Sequence, residues 1–255
     1  MTARLSGKVA LISGGATGMG GASSLLFAKE GAKVGIVDIN EEAGLAMVAE
    51  IKAAGGEAVF AKADVSDPDQ VEAAVDAVSR AFGPINVLFN HAGTIVIKPF
   101  LETTLEEWDW LMAVNVRSMF LVTKAVLPQM IGAGGGSIIC TSSISAELAT
   151  PNEVLYDTTK GACHMFARAI AVEYRDQNIR CNAVCPGFIA TPHGHREVEL
   201  LTKYGVDVSD AAIAAQQGRM GLPEDVAKAA LFLASEDSAF VSGQRLFVDN
   251  GFSAM

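Results

Sequence analysis

The apolar residues of this chain fall into two alternating patterns. Short, nearly continuous apolar runs stand at Val9–Ser13, Lys33–Val37, Glu57–Lys62, Val87–Asn90, Ser137–Ser142, Arg180–Val184 and Arg245–Val248. Runs of this length read as buried strands. Between them lie stretches with helical patterning: Gly21–Glu30, Glu41–Ala54, Pro68–Phe82, Glu106–Ile131, Tyr156–Asp176 and Pro223–Ala234. Asp67-Pro68 and Leu222-Pro223 suit helix starts, with proline in the first turn. Strand–helix alternation with apolar strands predicts an α/β fold, a seven-stranded, mostly parallel sheet with helices on both faces. Gly132–Gly136 reads as a loop and nothing resembles an interdomain linker, so residues 1–255 are expected to form one doubly wound domain.

The segment Ala190–Gly221 stands apart. It follows the sixth strand, and ligands of doubly wound sheets collect near the carboxyl ends of strands. Arg196–Tyr204 is amphipathic, with Val198, Leu201 and Tyr204 on one side. A substrate lid over about residues 190–221 is the functional expectation, an ordinary surface insertion the alternative. His193 and His195 open it and read as solvated, since two such residues make no metal site.

Composition narrows the function classes. Half of the 255 residues are hydrophobic and 19% are charged, which fits a buried-core globular protein. The net charge of −10, with no basic stripe, argues against nucleic-acid binding. The longest apolar runs, such as Ala229–Ala234, fall far below the roughly 20 residues of a membrane span. The N-terminus lacks the apolar stretch of a secretory signal, which implies a cytoplasmic location. Cys140, Cys163, Cys181 and Cys185 have no metal-site spacing and are expected to be buried, reduced thiols.

The candidate chemistry lies in two places. Val9–Ser13 runs into Gly14-Gly-Ala-Thr-Gly18-Met-Gly20 and then into a helical pattern. A glycine-rich turn between strand and helix lets backbone N–H groups approach a pyrophosphate, where the helix N-terminus favours negative charge. The second strand ends in Asp38, which can accept hydrogen bonds from adenosine ribose hydroxyls and would repel a 2′-phosphate, favouring NAD over NADP. The order strand, turn, helix, strand, acid makes the fold Rossmann-type. The second place is Ser143, Tyr156 and Lys160. Four residues apart, Tyr156 and Lys160 share a helix face. Ser143 ends an apolar run. A phenol, an ammonium and a hydroxyl can move a proton on and off an alcohol oxygen.

With these motifs in order, the chain resembles the short-chain dehydrogenases/reductases over nearly its whole length. Gly14-x-x-x-Gly18-x-Gly20 matches that family's cofactor loop, Asp64-Val65 its adenine-contacting pair, and Asn90-His-Ala-Gly93 its Asn-Asn-Ala-Gly stretch. Asn115, Ser143, Tyr156 and Lys160 match its catalytic tetrad. Pro186-Gly187 and Thr191 match its nicotinamide segment. The departures are Ser13 for Thr, Met19 for Ile and His91 for Asn. The resemblance implies an NAD site that also includes Thr17, Met19, Ile39, Ala92 and Ile189. Tyr156 is then the general acid/base, Lys160 lowers the Tyr156 pKa and holds the nicotinamide ribose, and Ser143 orients the substrate. Asn115 anchors a water linking Lys160 to solvent.

The implied reaction interconverts a small secondary alcohol and its ketone. The implied substrate positions are Thr94, Ile95, Glu147, Leu148, Asn152 and Phe188, beside Ser143 and Tyr156. Glu147 either meets a substrate hydroxyl or faces water at the rim. The resemblance also implies a homotetramer or dimer built partly on the helices beginning near Glu106 and Tyr156. Trp108 and Trp110 are expected in the core or at a subunit contact. The alternatives are a 3-oxoacyl-thioester reductase acting with acyl carrier protein, which calls for NADPH and basic residues at the pocket mouth, and a non-catalytic NAD-binding regulator.

Overall fold

In the computed structural model, which describes residues 3–254, all five positions of the first strand are buried. Successive strand residues point to opposite faces. Val9 and Leu11 therefore enter one core, and Ala10 and Ile12 another. A strand buried on both faces needs helices on both sides, and the alternating chain supplies them.

The strands are β1 (Val9–Ser13), β2 (Lys33–Asp38), β3 (Glu57–Lys62), β4 (Val87–Asn90), β5 (Gly136–Thr141), β6 (Ile179–Pro186) and β7 (Arg245–Val248). The helices are α1 (Gly18–Lys29), α2 (Glu41–Ala53), α3 (Pro68–Phe82), α4 (Leu105–Met112), α5 (Ser118–Gly132), α6 (Val154–Glu173), α7 (Pro192–Lys203), α8 (Asp210–Gln217) and α9 (Pro223–Ala234). The sheet order is β3-β2-β1-β4-β5-β6-β7. All of its pairings are parallel, where the sequence led us to expect mostly parallel ones. Helices α3, α5 and α6 cover one face and α1, α2 and α9 the other. The chain crosses from β3 to β4 on the far side of β1, so a crevice opens at the carboxyl ends of β1 and β4.

Sequence and structure agree on α3 and α9 to the residue. The Asp67 carboxylate caps α3 by accepting from the N–H groups of Asp69 and Gln70. Helix α1 begins at Gly18 rather than Gly21, which brings its N-terminus up to the glycine turn. The expected helix Glu106–Ile131 is interrupted by a π-turn at Ala113–Arg117, between α4 and α5. From Leu105 to Gly132 it is long and apolar enough to cross a bilayer by length and composition, and 44% of its most apolar window is buried within the fold. All four cysteines are free and buried.

Residues 190–221 form α7 and α8, tied down at both ends. Ile189 and Gly221 make a parallel bridge. The side chain of Gln217 accepts from Phe188 N–H at 2.9 Å and donates to Phe188 O at 2.8 Å. Leu201, Val208 and Ile213 are buried with Ile95, Leu111, Leu155 and Phe188 in a third apolar cluster that includes Tyr156. Burial of each such side chain is worth roughly 1.5–3 kcal/mol, so the segment is docked over the site.

Candidate active site

The carboxyl ends of the strands open into one cleft of about 430 Å³. On its β1 side lie Gly14, Thr17, Gly18 and Met19. Gly14 has φ +68°, and a Cβ there would stand 2.9 Å from Ala92 Cα, so the turn demands glycine. A Cβ on Gly20 would fall on the Gly14 carbonyl. Gly20 therefore packs beneath the turn and does not line the cleft. Helix α1 has no side-chain cap at Thr17, and Gly18 and Met19 at its start line the cleft, which suits a pyrophosphate. At the end of β2, Asp38 accepts from Ala16 N–H at 3.1 Å and from Asn40 N–H at 3.0 Å. Those bonds fix its carboxylate beside the cleft, with Ile39, Asp64 and Val65 along the same edge.

On the other side Tyr156 and Lys160 project from the first two turns of α6, 6% and 5% exposed. The Lys160 ammonium lies 5.4 Å from the Tyr156 ring centre and donates to Thr141 O at 3.2 Å. Ser143 follows the end of β5 and caps a 3-10 turn, accepting from Ser145 N–H at 3.1 Å. Burial holds the Tyr156 phenol well above its ordinary value; Glu197 and Glu153 add to this and Ser143 opposes it. Burial also lowers the Lys160 pKa.

Asn115 is buried within the π-turn, away from the cleft surface. Its side chain accepts from Thr94 N–H at 2.8 Å and donates to Thr94 O and Thr159 Oγ1. A Cβ placed on Gly93 would lie 3.2 Å from Asn115 Oδ1 and 3.6 Å from Lys160 Nζ, so the three meet at one point.

Ala92, Gly93, Pro186, Gly187, Ile189 and Thr191 line the cleft as expected. Asn90 does not; it sits behind the turn and donates to Thr123 Oγ1 at 2.8 Å. His91 does line it. Burial pushes its imidazole down to about 3, so the ring is neutral, and its Nδ1 pairs with Thr141 Oγ1 at 3.0 Å. Of the expected substrate positions, Ser143, Tyr156 and Thr94 are in the cleft. Glu147 is instead ion-paired with Arg245 of β7. Leu148 and Asn152 lie outside the lining, and Asn152 is a turn residue with φ +70°. Ile95 and Phe188 belong to the apolar cluster behind the site.

Four further residues line the cleft without having been expected there: Trp110 and Val114, and His193 and Glu197. Trp110, expected in the core or at a contact, is 47% exposed and lines the cleft. His193, expected to be solvated, has its ring centre 6.4 Å from that of Tyr156. Burial lowers its pKa to about 4. Glu197 is held up at about 7 by burial, the Lys160 ammonium opposing. The four-residue spacing of each pair was the available signal.

A family model described as "Enoyl-(Acyl carrier protein) reductase" matches residues 14–253. The chain is 40% identical over 254 residues to the 2,5-dichloro-2,5-cyclohexadiene-1,4-diol dehydrogenase LinX of Sphingobium indicum, covering 99% of each chain. It is 40% identical over 255 residues to the cyclopentanol dehydrogenase of Comamonas testosteroni, covering 98% of this chain and 99% of that one. Among solved structures it resembles 7α-hydroxysteroid dehydrogenase complexed with NADH and 7-oxo glycochenodeoxycholic acid. The TM-score there is 0.90 at 32% identity, over 98% of this chain and 96% of that one.

Proposed function

Since the chain belongs to the short-chain dehydrogenase/reductase superfamily, we propose that it is an NAD-dependent oxidoreductase interconverting a secondary alcohol and its ketone. The observation that carries this reading is the single cleft in which the glycine turn and Asp38 face Ser143, Tyr156 and Lys160.

The open cradle at Gly14 and Gly18 and the fixed Asp38 carboxylate suit a dinucleotide. Asp38 takes the adenosine ribose hydroxyls and disfavours a 2′-phosphate; Asp64 and Val65 flank the adenine; Lys160 holds the nicotinamide ribose. A nicotinamide held there would supply the hydride acceptor for the carbinol carbon and, when oxidised, a positive charge that favours phenolate. Ser143 and Tyr156 bind the substrate oxygen. Tyr156 takes the hydroxyl proton as the carbonyl forms and returns it in reduction. Lys160 adds its charge, and Asn115 holds the Thr94 strand-end loop against Lys160, where a proton leaves toward solvent.

The family model's description keeps a second reading in view, an acyl-thioester reductase acting with acyl carrier protein. The cleft weighs against it. Among the described residues its lining carries Asp38, Asp64 and Glu197 but one Lys or Arg, Lys160. A non-catalytic regulator would bind NAD without turnover. A panel of secondary alcohols with NAD and with NADP, read by absorbance of the reduced cofactor, separates the readings. NAD-linked turnover supports ours; a marked preference for NADP removes the Asp38 argument.

The protein is further read as a homotetramer or dimer, because Leu105, Phe120 and Ile131 on the α4–α5 helix and Val154, Met165 and Val172 on α6 are exposed apolar side chains. Four free, buried thiols accord with a reducing, cytoplasmic setting.

A further inference from the structure

The cleft that holds Tyr156 is lined by two further residue pairs of unlike chemistry. Trp110 and Val114, four apart across the end of α4 and the π-turn, give an apolar wall. His193 and Glu197, four apart on α7, give a polar one. The bottom, Ser143 and Tyr156, is where the reacting oxygen binds under the dehydrogenase reading. A simple cyclic alcohol would use the apolar wall and the bottom and leave the polar wall unmet.

Glu197 is the unusual member. It is half-buried, and among the described residues it has no hydrogen-bond or ion-pair partner. A half-buried carboxylate with no partner of its own can accept from a donor placed in the cleft. The Lys160 ammonium acts on it, as the lowering influence on its pKa indicates, yet the ammonium itself is directed to Thr141 O. His193 beside it is a neutral imidazole with one donor and one acceptor nitrogen, neither bonded within the described residues. A cationic ligand group would meet Lys160 in the same cleft. A neutral hydroxyl meets no such opposition.

We propose that Glu197, with His193 beside it, is a specificity-determining residue that accepts a hydrogen bond from a second, unreacting hydroxyl, so that the preferred substrates are alicyclic diols and their hydroxyketones. This rests on the secondary-alcohol reading. The ring lies against Trp110 and Val114, one hydroxyl meets Ser143 and Tyr156, and the other meets Glu197. Only the carbon bearing the first hydroxyl is oxidised: the O–H proton passes to Tyr156, and the hydride on that carbon would pass to bound NAD as the C=O bond forms.

The test compares cyclohexanol with the vicinal and para cyclohexanediols in wild type, Glu197→Leu and Glu197→Gln. Two quantities are read: kcat/KM with NAD, and ligand dissociation constants in the NADH complex from tryptophan quenching, since Trp110 lines the cleft. In wild type the best diol should exceed cyclohexanol about tenfold or more by both measures, the scale of a hydrogen bond to a charged group. Glu197→Leu should bring the ratio close to one, and Glu197→Gln, which keeps an acceptor oxygen, should retain part of it. A wild-type ratio near one overturns the proposal. So does a ratio that survives in a Glu197→Leu protein whose NADH binding and unfolding temperature show it folded. If wild type oxidises no alcohol, the dehydrogenase reading fails, and the binding ratio still decides the role of Glu197.

Discussion

Burial governs the ionisable residues around the site, and the consequences differ from residue to residue. The Tyr156 phenol is held well above its ordinary value, so the base form is scarce near neutrality. Alcohol oxidation should therefore accelerate as pH rises and ketone reduction should not; a flat oxidation profile with chemistry rate-limiting would contradict this. Tyr156→Phe should lower kcat by about 10²–10⁴-fold while NAD binding, measured by titration, changes little. Glu153 offers a test that needs no substrate. It is 1% exposed, its Oε1 has no partner, and burial, with Glu197 and Asp157, lifts its carboxyl to about 9. Its folded pKa lies above its unfolded value, so the folded state holds a proton that the unfolded chain has released. Stability then falls as pH rises from the ordinary carboxyl range toward 9. Glu153→Gln should match wild type near pH 5 and be the more stable near pH 8. The gap should open by on the order of 1 kcal/mol per pH unit at most, measured by thermal unfolding. The presence of Asp38, Ser143, Tyr156 and Lys160 in the cleft could be anticipated because each follows a strand or sits in a short motif. Glu197 and His193 could not, because polar residues on an amphipathic helix look the same whether they face water or a cleft. Glu147 was misplaced because its partner, Arg245, lies on a strand nearly a hundred residues away.

At the scale of elements, strands and capped helices were legible and local departures from regularity were not. β1, β3, β4 and β7 match the apolar runs to the residue. The π-turn at Ala113–Arg117 was invisible because a single wider turn hardly disturbs apolar spacing over so long a helix. It is nonetheless what carries Asn115 to Thr94 and Thr159. The glycine turn admits little change: Gly14→Ala should weaken NAD binding strongly, given its φ and the contact with Ala92. The segment 190–221 is held by Gln217, whose side chain serves both the N–H and the C=O of Phe188. Gln217→Leu leaves those groups unpaired, at about 1–3 kcal/mol each. It should lower the unfolding temperature and raise KM for the alcohol more than it raises the NAD dissociation constant. An unchanged KM in a destabilised variant would mean that the segment does not shape the substrate site.

The whole molecule joins a parallel sheet, buried on both faces, to a cleft at the strand ends. Seven strands, mostly parallel, and helices on both faces followed from pattern, since both are set by burial. The number of subunits does not follow from pattern, because exposed apolar residues on α4, α5 and α6 are the same residues that an isolated chain would show. If they form a subunit contact, light scattering should give a dimer or tetramer at micromolar concentration, and Phe120→Glu with Met165→Glu should shift it to smaller species. On the proposed reading, NAD binds one half of the cleft and a secondary alcohol the other, and the two react where the halves meet. The most direct measurement is the rate of NADH formation by wild type and Tyr156→Phe with saturating NAD and cyclic secondary alcohols, alongside NAD binding to both proteins. Turnover by wild type, lost in Tyr156→Phe with NAD binding intact, is the expected result. NAD binding by wild type with no turnover of any alcohol or of its ketone with NADH would contradict it.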